Sequence, residues 1–164
     1  HKEYRRQRQM CIRDRHRDPL HPRARRECAL KPMSHRILNP SSVAAPAGPY
    51  SQAVASSGPG TWLHIAGQIG VDAQGQLAQG FEAQARQAWS NLVAVLAAAD
   101  MTVADLVKVT TFLVDRTHLP GLGPVRSSFL GQARPASTLL IVQALAHPDW
   151  LFEVEAVAFR PAAG

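Results

Sequence analysis

The stretch that decides the fold runs from Arg134 to Phe159, RPASTLLIVQALAHPDWLFEVEAVAF, and it reads as two consecutive strands. In the first, Thr138 to Val142, Leu139 and Ile141 fall on one side and Leu140 and Val142 on the other, so both sides need cover. The second alternates. Phe152, Val154, Ala156 and Ala158 share one face, and Glu153, Glu155, Val157 and Phe159 share the opposite one. That places two carboxylates on one face, roughly 7 Å apart along the strand. Because Val157 and Phe159 continue the same face, it suits the rim of a pocket or a subunit contact better than open water.

Upstream, the elements that could cover this pair of strands follow in order. Tyr50 to Ser56 reads as a short strand, Ser57 to Gly60 as a turn, and Thr61 to Val71 as the return strand. In that return strand Leu63, Ile65, Gly67 and Ile69 share one face, with His64, Ala66 and Gln68 on the other. Gly67 marks either a bulge or a place where a ligand or another backbone comes close. Phe81 to Ala99 has the clearest helical spacing, through Ala85, Ala88, Leu92, Val95 or Leu96, and Ala99. Leu106 to Val114 is a further strand. His118 to Leu130 carries Pro120, Gly121, Gly123 and Pro124, which predicts a loop passing into about two helical turns.

The order β-β-α-β-α-β-β gives an α+β domain, a mixed sheet of about five strands with two helices on one face. Two helices leave the other sheet face bare. A homo-oligomer, burying that face against another subunit, is the expected remedy.

Charge is confined to one end. Residues 1–32 hold 11 of the 18 Lys and Arg and 4 of the 12 acids, a net of +7, whereas residues 33–164 carry a net of −1. A near-neutral domain lacks the electrostatic footprint of a nucleic-acid binder, so no nucleic-acid partner is expected. Both cysteines, Cys11 and Cys28, also lie in the basic segment, leaving the domain without thiol chemistry. Residues 1–32 have no apolar periodicity and read as a disordered basic arm. Met10 to Arg15, MCIRDR, is moreover what ATG TGT ATA AGA GAC AG(A/G) encodes, a string that resembles a transposon-end sequencing adapter. Residues 1–32 therefore read as a translated adapter, Met33 as the natural start, and 33–164 as the domain. No apolar run approaches a membrane span and no signal-peptide pattern precedes the domain, so a cytoplasmic protein without membrane association is expected.

Several chemistries find no motif. There is no phosphate-binding GxxxxGK[ST] loop and no GxSxG elbow, and His35, His64, His118 and His147 lack metal-ligand spacing. No metal and no cofactor are expected.

What does recur is a set of segments in fixed order. They are Gly48-Pro49-Tyr50-Ser51-Gln52, Ala66-Gly67-Gln68-Ile69, Gln84-Ala85-Arg86-Gln87, Val107-Lys108-Val109-Thr110 with Phe112 and Asp115, Pro135-Ala136, and Glu153 to Ala158. In this order and spacing the chain resembles the Rid family (YjgF/YER057c/UK114, once labelled L-PSP endoribonuclease) over almost all of residues 37–160. The resemblance implies a chorismate-mutase-like fold and a homotrimer with small-molecule clefts between subunits. In the best-known subgroup it also implies hydrolysis of reactive enamines and imines to 2-oxo acids and ammonia. There a Glu on the last strand and backbone groups position water, and an Arg pairs the substrate carboxylate. On the residues of this chain it makes Glu153 the catalytic candidate, with Tyr50, Gly67, Ser137 and Ala66 as substrate-binding candidates.

Three positions depart from the family pattern. Pro135-Ala136-Ser137-Thr138 stands where the family has Pro-Ala-Arg-Ser, so the carboxylate-binding Arg is Ser137; the Ser of Ser-Gly-Gln-Ile is Ala66; and an Asn near the last helix falls at Gly123. Losing the Arg forfeits about 1.5 to 3 kcal/mol per hydrogen bond to the charged group, which predicts a substrate with a less charged anchor. Arg134, across Pro135, reads as a surface residue rather than a substitute. Two functions stay open, an imine or enamine deaminase of altered preference and a metabolite-binding or protective homotrimer without chemistry. RNA cleavage fits least, for want of basic charge and of a His pair.

Overall fold

The computed structural model describes residues 35–162. The basic arm, the adapter reading and the start at Met33 lie outside the described residues. In chain order the elements are β1 (Arg36–Leu38), β2 (Ala53–Ala55), β3 (Gly60–Ile69), α1 (Phe81–Ala98), β4 (Leu106–Leu113), α2 (Leu119–Leu130), β5 (Ala136–Ile141) and β6 (Phe152–Pro161). The main sheet has four strands in the order β3-β6-β4-β5, parallel between β4 and β5 and antiparallel elsewhere. Short 3-10 turns at Val103–Asp105 and Arg116–His118 lead into β4 and α2, each opened by a side chain, Thr102 or Asp115, that accepts a backbone N–H.

Both helices pack on one sheet face. Trp89, Leu92 and Leu96 of α1 meet Val109 and Leu113 of β4 and Phe152 and Val154 of β6, all with no exposed surface, and Leu122, Val125 and Leu130 of α2 close the same core. Each large side chain so buried contributes about 1.5–3 kcal/mol. Helix α1 lies close to the end of β3 because Gly70 has no side chain: a methyl there would come within 2.5 Å of Gln84 Cα. Gln84 is itself buried and holds the turn before β6, accepting Leu151 N–H at 2.8 Å and donating to the Asp149 carbonyl at 2.9 Å.

Three expectations need correction. The sheet has four strands rather than about five, because the first hairpin does not form as read: β2 is short and pairs with β1. Ser51 instead donates its hydroxyl to the Arg134 carbonyl at 2.6 Å and its N–H to the Pro135 carbonyl at 3.2 Å, so the chain before β2 touches β5 through a single bridge, Ser51 to Ala136. Second, α2 is a helix of 12 residues, not a loop with two turns. Pro120 occupies its first turn, where no N–H is needed, and Gly121 accepts the ring of Phe81, which also stacks on His118 at 4.4 Å. Third, the alternation along β3 breaks at a bulge between Ile65 and Gln68, beyond which Gln68 lies opposite Val154 and Ile69 opposite Glu153.

Candidate functional site

The β3 bulge decides which groups gather around Glu153. Past it Gly67 no longer shares a face with Leu63 and Ile65; it turns to the face away from the helices, and a methyl built on it would overlap Glu153 Oε1 and lie 2.7 Å from Glu153 Cδ. The glycine is thus both a bulge and a close approach, and what approaches is the carboxylate. Ala66 continues the same face by alternation, next to Gly67, and is exposed. Across the sheet the register sets Ile69, Glu153, Phe112 and Leu140 in one row. The apolar row strips water from a half-buried carboxyl, and Glu155 on the same face repels its charge; burial first and Glu155 second raise the pKa of Glu153 above the ordinary 4.5. A carboxyl of that kind is suited to take and return a proton.

A second group forms on the opposite side. Ser137 lies opposite Val109 in the parallel pair, so it faces the helices and borders a cavity of about 480 Å³ between the Ala47–Tyr50 segment, α2 and β5. Tyr50 reaches this cavity because the Ser51 bridge pins its neighbour to the start of β5; its hydroxyl accepts Ala47 N–H at 3.3 Å. The walls are apolar at Leu119, Leu122 and Leu139, with Thr111 and Ser127 among the polar groups. Within one chain, then, Glu153, Gly67 and Ala66 come together, and Tyr50 and Ser137 come together, but the two groups do not meet. Ser137 and Glu153 stand two strands and three residues apart on the sheet, about 14 Å on ordinary sheet spacing, and point to opposite faces.

A family model described as Endoribonuclease L-PSP matches residues 41–160. The chain belongs to the Rid family. It is 34% identical over 132 residues to the 2-iminobutanoate/2-iminopropanoate deaminase of Salmonella typhimurium, covering 78% of this chain and 99% of that one. It is 37% identical to a RutC family protein of Pyrococcus horikoshii over 70% of this chain and 90% of that one. Among solved structures, a Rid family protein from Yersinia pestis matches with a TM-score of 0.69 at 36% identity, over 77% of this chain and 98% of the other. The α+β architecture with a mixed sheet and two helices is the Rid fold. Of the family-like segment Gln84 to Gln87, the fold uses Gln84 to pin the turn before β6.

Sequence reasoning passed over one residue of this Rid chain. Arg126 on α2 lines the cavity with Tyr50 and Ser137, and it is the only charged residue among the lining groups. The available signal was small: Arg126 is the sole charge in Leu119–Leu130, in a segment read as mostly loop. Arg134 is not among the lining residues, and its Nη1 donates to the Gly131 and Ala133 carbonyls at 2.7 and 2.9 Å. Among the described residues no group of three or more His, Cys, Asp and Glu is placed to hold a metal, and no helix is long and apolar enough to cross a membrane.

Proposed function

We propose that this Rid protein is a cytoplasmic deaminase that hydrolyses reactive enamine or imine metabolites to a carbonyl compound and ammonia, in clefts between the subunits of a homotrimer. The observation that carries the reading is the split just described. Glu153 and Gly67 lie on the bare sheet face of one chain, and Tyr50 and Ser137 in a cavity on the other side, so a site using both groups takes one from each of two copies. The exposed apolar residues Leu139, Leu140 and Ile141 on edge strand β5, at 43%, 39% and 42%, support such a contact. In the reaction Glu153 takes a proton from water as the water oxygen attacks the imine carbon and gives it to the imine nitrogen; it then carries the proton of the new hydroxyl to that nitrogen as the carbonyl forms and the C–N bond breaks, releasing ammonia. Tyr50 and Ser137 give neutral hydrogen bonds to the substrate, and Ser137 in the family Arg position alters the preference.

The test is ammonia and 2-oxo acid release by the full chain from imino acids generated in situ by an amino-acid oxidase, with the assembly mass measured by light scattering. Turnover above the uncatalysed rate, lost in Glu153→Gln while the mass of three chains is kept, is expected. A confirmed trimer without turnover would instead favour the second reading, a metabolite-binding or protective homotrimer, to which Ser137 in place of Arg already lends weight.

A further inference from the structure

The cavity beside Tyr50 and Ser137 holds a guanidinium whose hydrogen bonding is incomplete. Arg126 Nη1 donates to the Pro49 carbonyl at 3.1 Å, which fixes the plane of the group. Its Nε and Nη2 are buried and have no partner among the described residues. These two nitrogens share one edge of the planar fork, the edge that receives a carboxylate side-on through two parallel N–H···O bonds. Burial, and the charge of Arg134 nearby, lower the Arg126 pKa, yet an arginine in a protein keeps its proton.

A buried, half-satisfied cation is costly unless an anion completes it. Within one chain none of the cavity's other lining residues is acidic, Glu153 and Glu155 being on the far sheet face, and the Glu153 that a second copy would bring is committed to the attacking water. The other polar side chains there, Tyr50, Thr111, Ser127 and Ser137, are hydroxyls, and Leu119, Leu122 and Leu139 form walls suited to a short aliphatic chain. One tethered nitrogen and two unpartnered ones on a single edge, on a side chain that lines the cavity, make an anchor for one carboxylate once that edge turns to the opening.

We propose that Arg126, from helix α2, binds the carboxylate of a small 2-oxo or 2-imino monocarboxylic acid, replacing from a different element the arginine that Ser137 lacks. The naming of that acid class rests on the deaminase reading; the requirement for an anion does not. It reverses the expectation of a less charged anchor: the preference moves with the position of the cation rather than away from acids.

The experiment is a titration of the full chain with 2-oxobutanoate and with its neutral amide, followed by calorimetry or NMR shifts. Wild type is expected to bind the acid about 10- to 100-fold more tightly than the amide, the range for charge-assisted hydrogen bonds. Arg126→Gln should abolish that preference, and Arg126→Lys, with a point charge and no fork, should keep only part of it. Equal binding of acid and amide by wild type, no binding of the acid, or an undiminished preference in Arg126→Gln would each overturn the proposal. Should Arg126→Gln fail to fold, as judged by its melting curve, the wild-type preference and Arg126→Lys decide. The two readings fail separately. An acid preference lost in Arg126→Gln, in a chain without turnover, sinks the deaminase and keeps the anchor; turnover without acid preference does the reverse.

Discussion

Replacing Gly67 by Ala should separate the chemistry of Glu153 from the stability of the fold. The new methyl would overlap Glu153 Oε1 and stand 2.7 Å from Cδ, whereas carbon atoms settle at about 3.5–4.0 Å, so the carboxylate must retreat by more than about 1 Å. What must move is the far end of a flexible side chain, not backbone, and Gly67 does not adopt the positive φ that glycine alone tolerates. The fold therefore changes by no more than about 1 kcal/mol, with the loss of unfolded-state freedom acting in its favour. Catalysis is less forgiving. A reacting group misplaced by about 1 Å costs on the order of 100-fold. Steady-state kcat with in-situ imino acids, beside melting curves and assembly mass, is the assay. A roughly 100-fold fall in kcat with the melt and mass preserved is expected. Wild-type kcat in Gly67→Ala would refute the placement of Glu153 at the reacting centre.

Further consequences follow from the same geometry. Glu153 must be ionised to accept a proton, so the acid limb of kcat/KM should lie above the ordinary 4.5, and Glu155→Gln, which removes the second of the two causes, should move that limb to lower pH; an unmoved limb would mean that another group titrates. Because the folded pKa is raised, ionising Glu153 opposes folding. That opposition is absent below the ordinary carboxylate range and grows as pH rises through the folded value, so Glu153→Gln should gain stability relative to wild type on the alkaline side, read from denaturant midpoints at pH 4 and 8. Gln84→Ala should destabilise the fold by about 2–4 kcal/mol in urea titration, since it strands the Leu151 N–H and the Asp149 carbonyl. A loss below about 1 kcal/mol would show that the turn before β6 finds other partners.

Much of this was legible along the chain. Period-two alternation in Phe152–Pro161 and 3.6-residue spacing in Phe81–Ala98 are properties of neighbouring residues, and they assign both elements and their buried faces directly. The bare sheet face also follows from counting helices against strands. Glu153 could be singled out because it stands on an alternating strand within a family-like segment, and its partner Gly67 because glycine in a strand interior asks for a reason.

Three things were decided only in three dimensions. The bulge at Ala66–Gly67 inverts the face of everything after it, and a one-residue slip leaves no mark on hydrophobic pattern when the residues concerned are Ala, Gly and Gln. Helix α2 forms despite two prolines and two glycines because burial of Leu122, Val125 and Leu130 outweighs local propensity. That helix in turn brings Arg126 to the cavity, 11 positions before the Ser137 that it borders there. Sequence reports which residue occupies a family position. Where a guanidinium reaches depends on how a helix packs, and packing is a property of the whole chain.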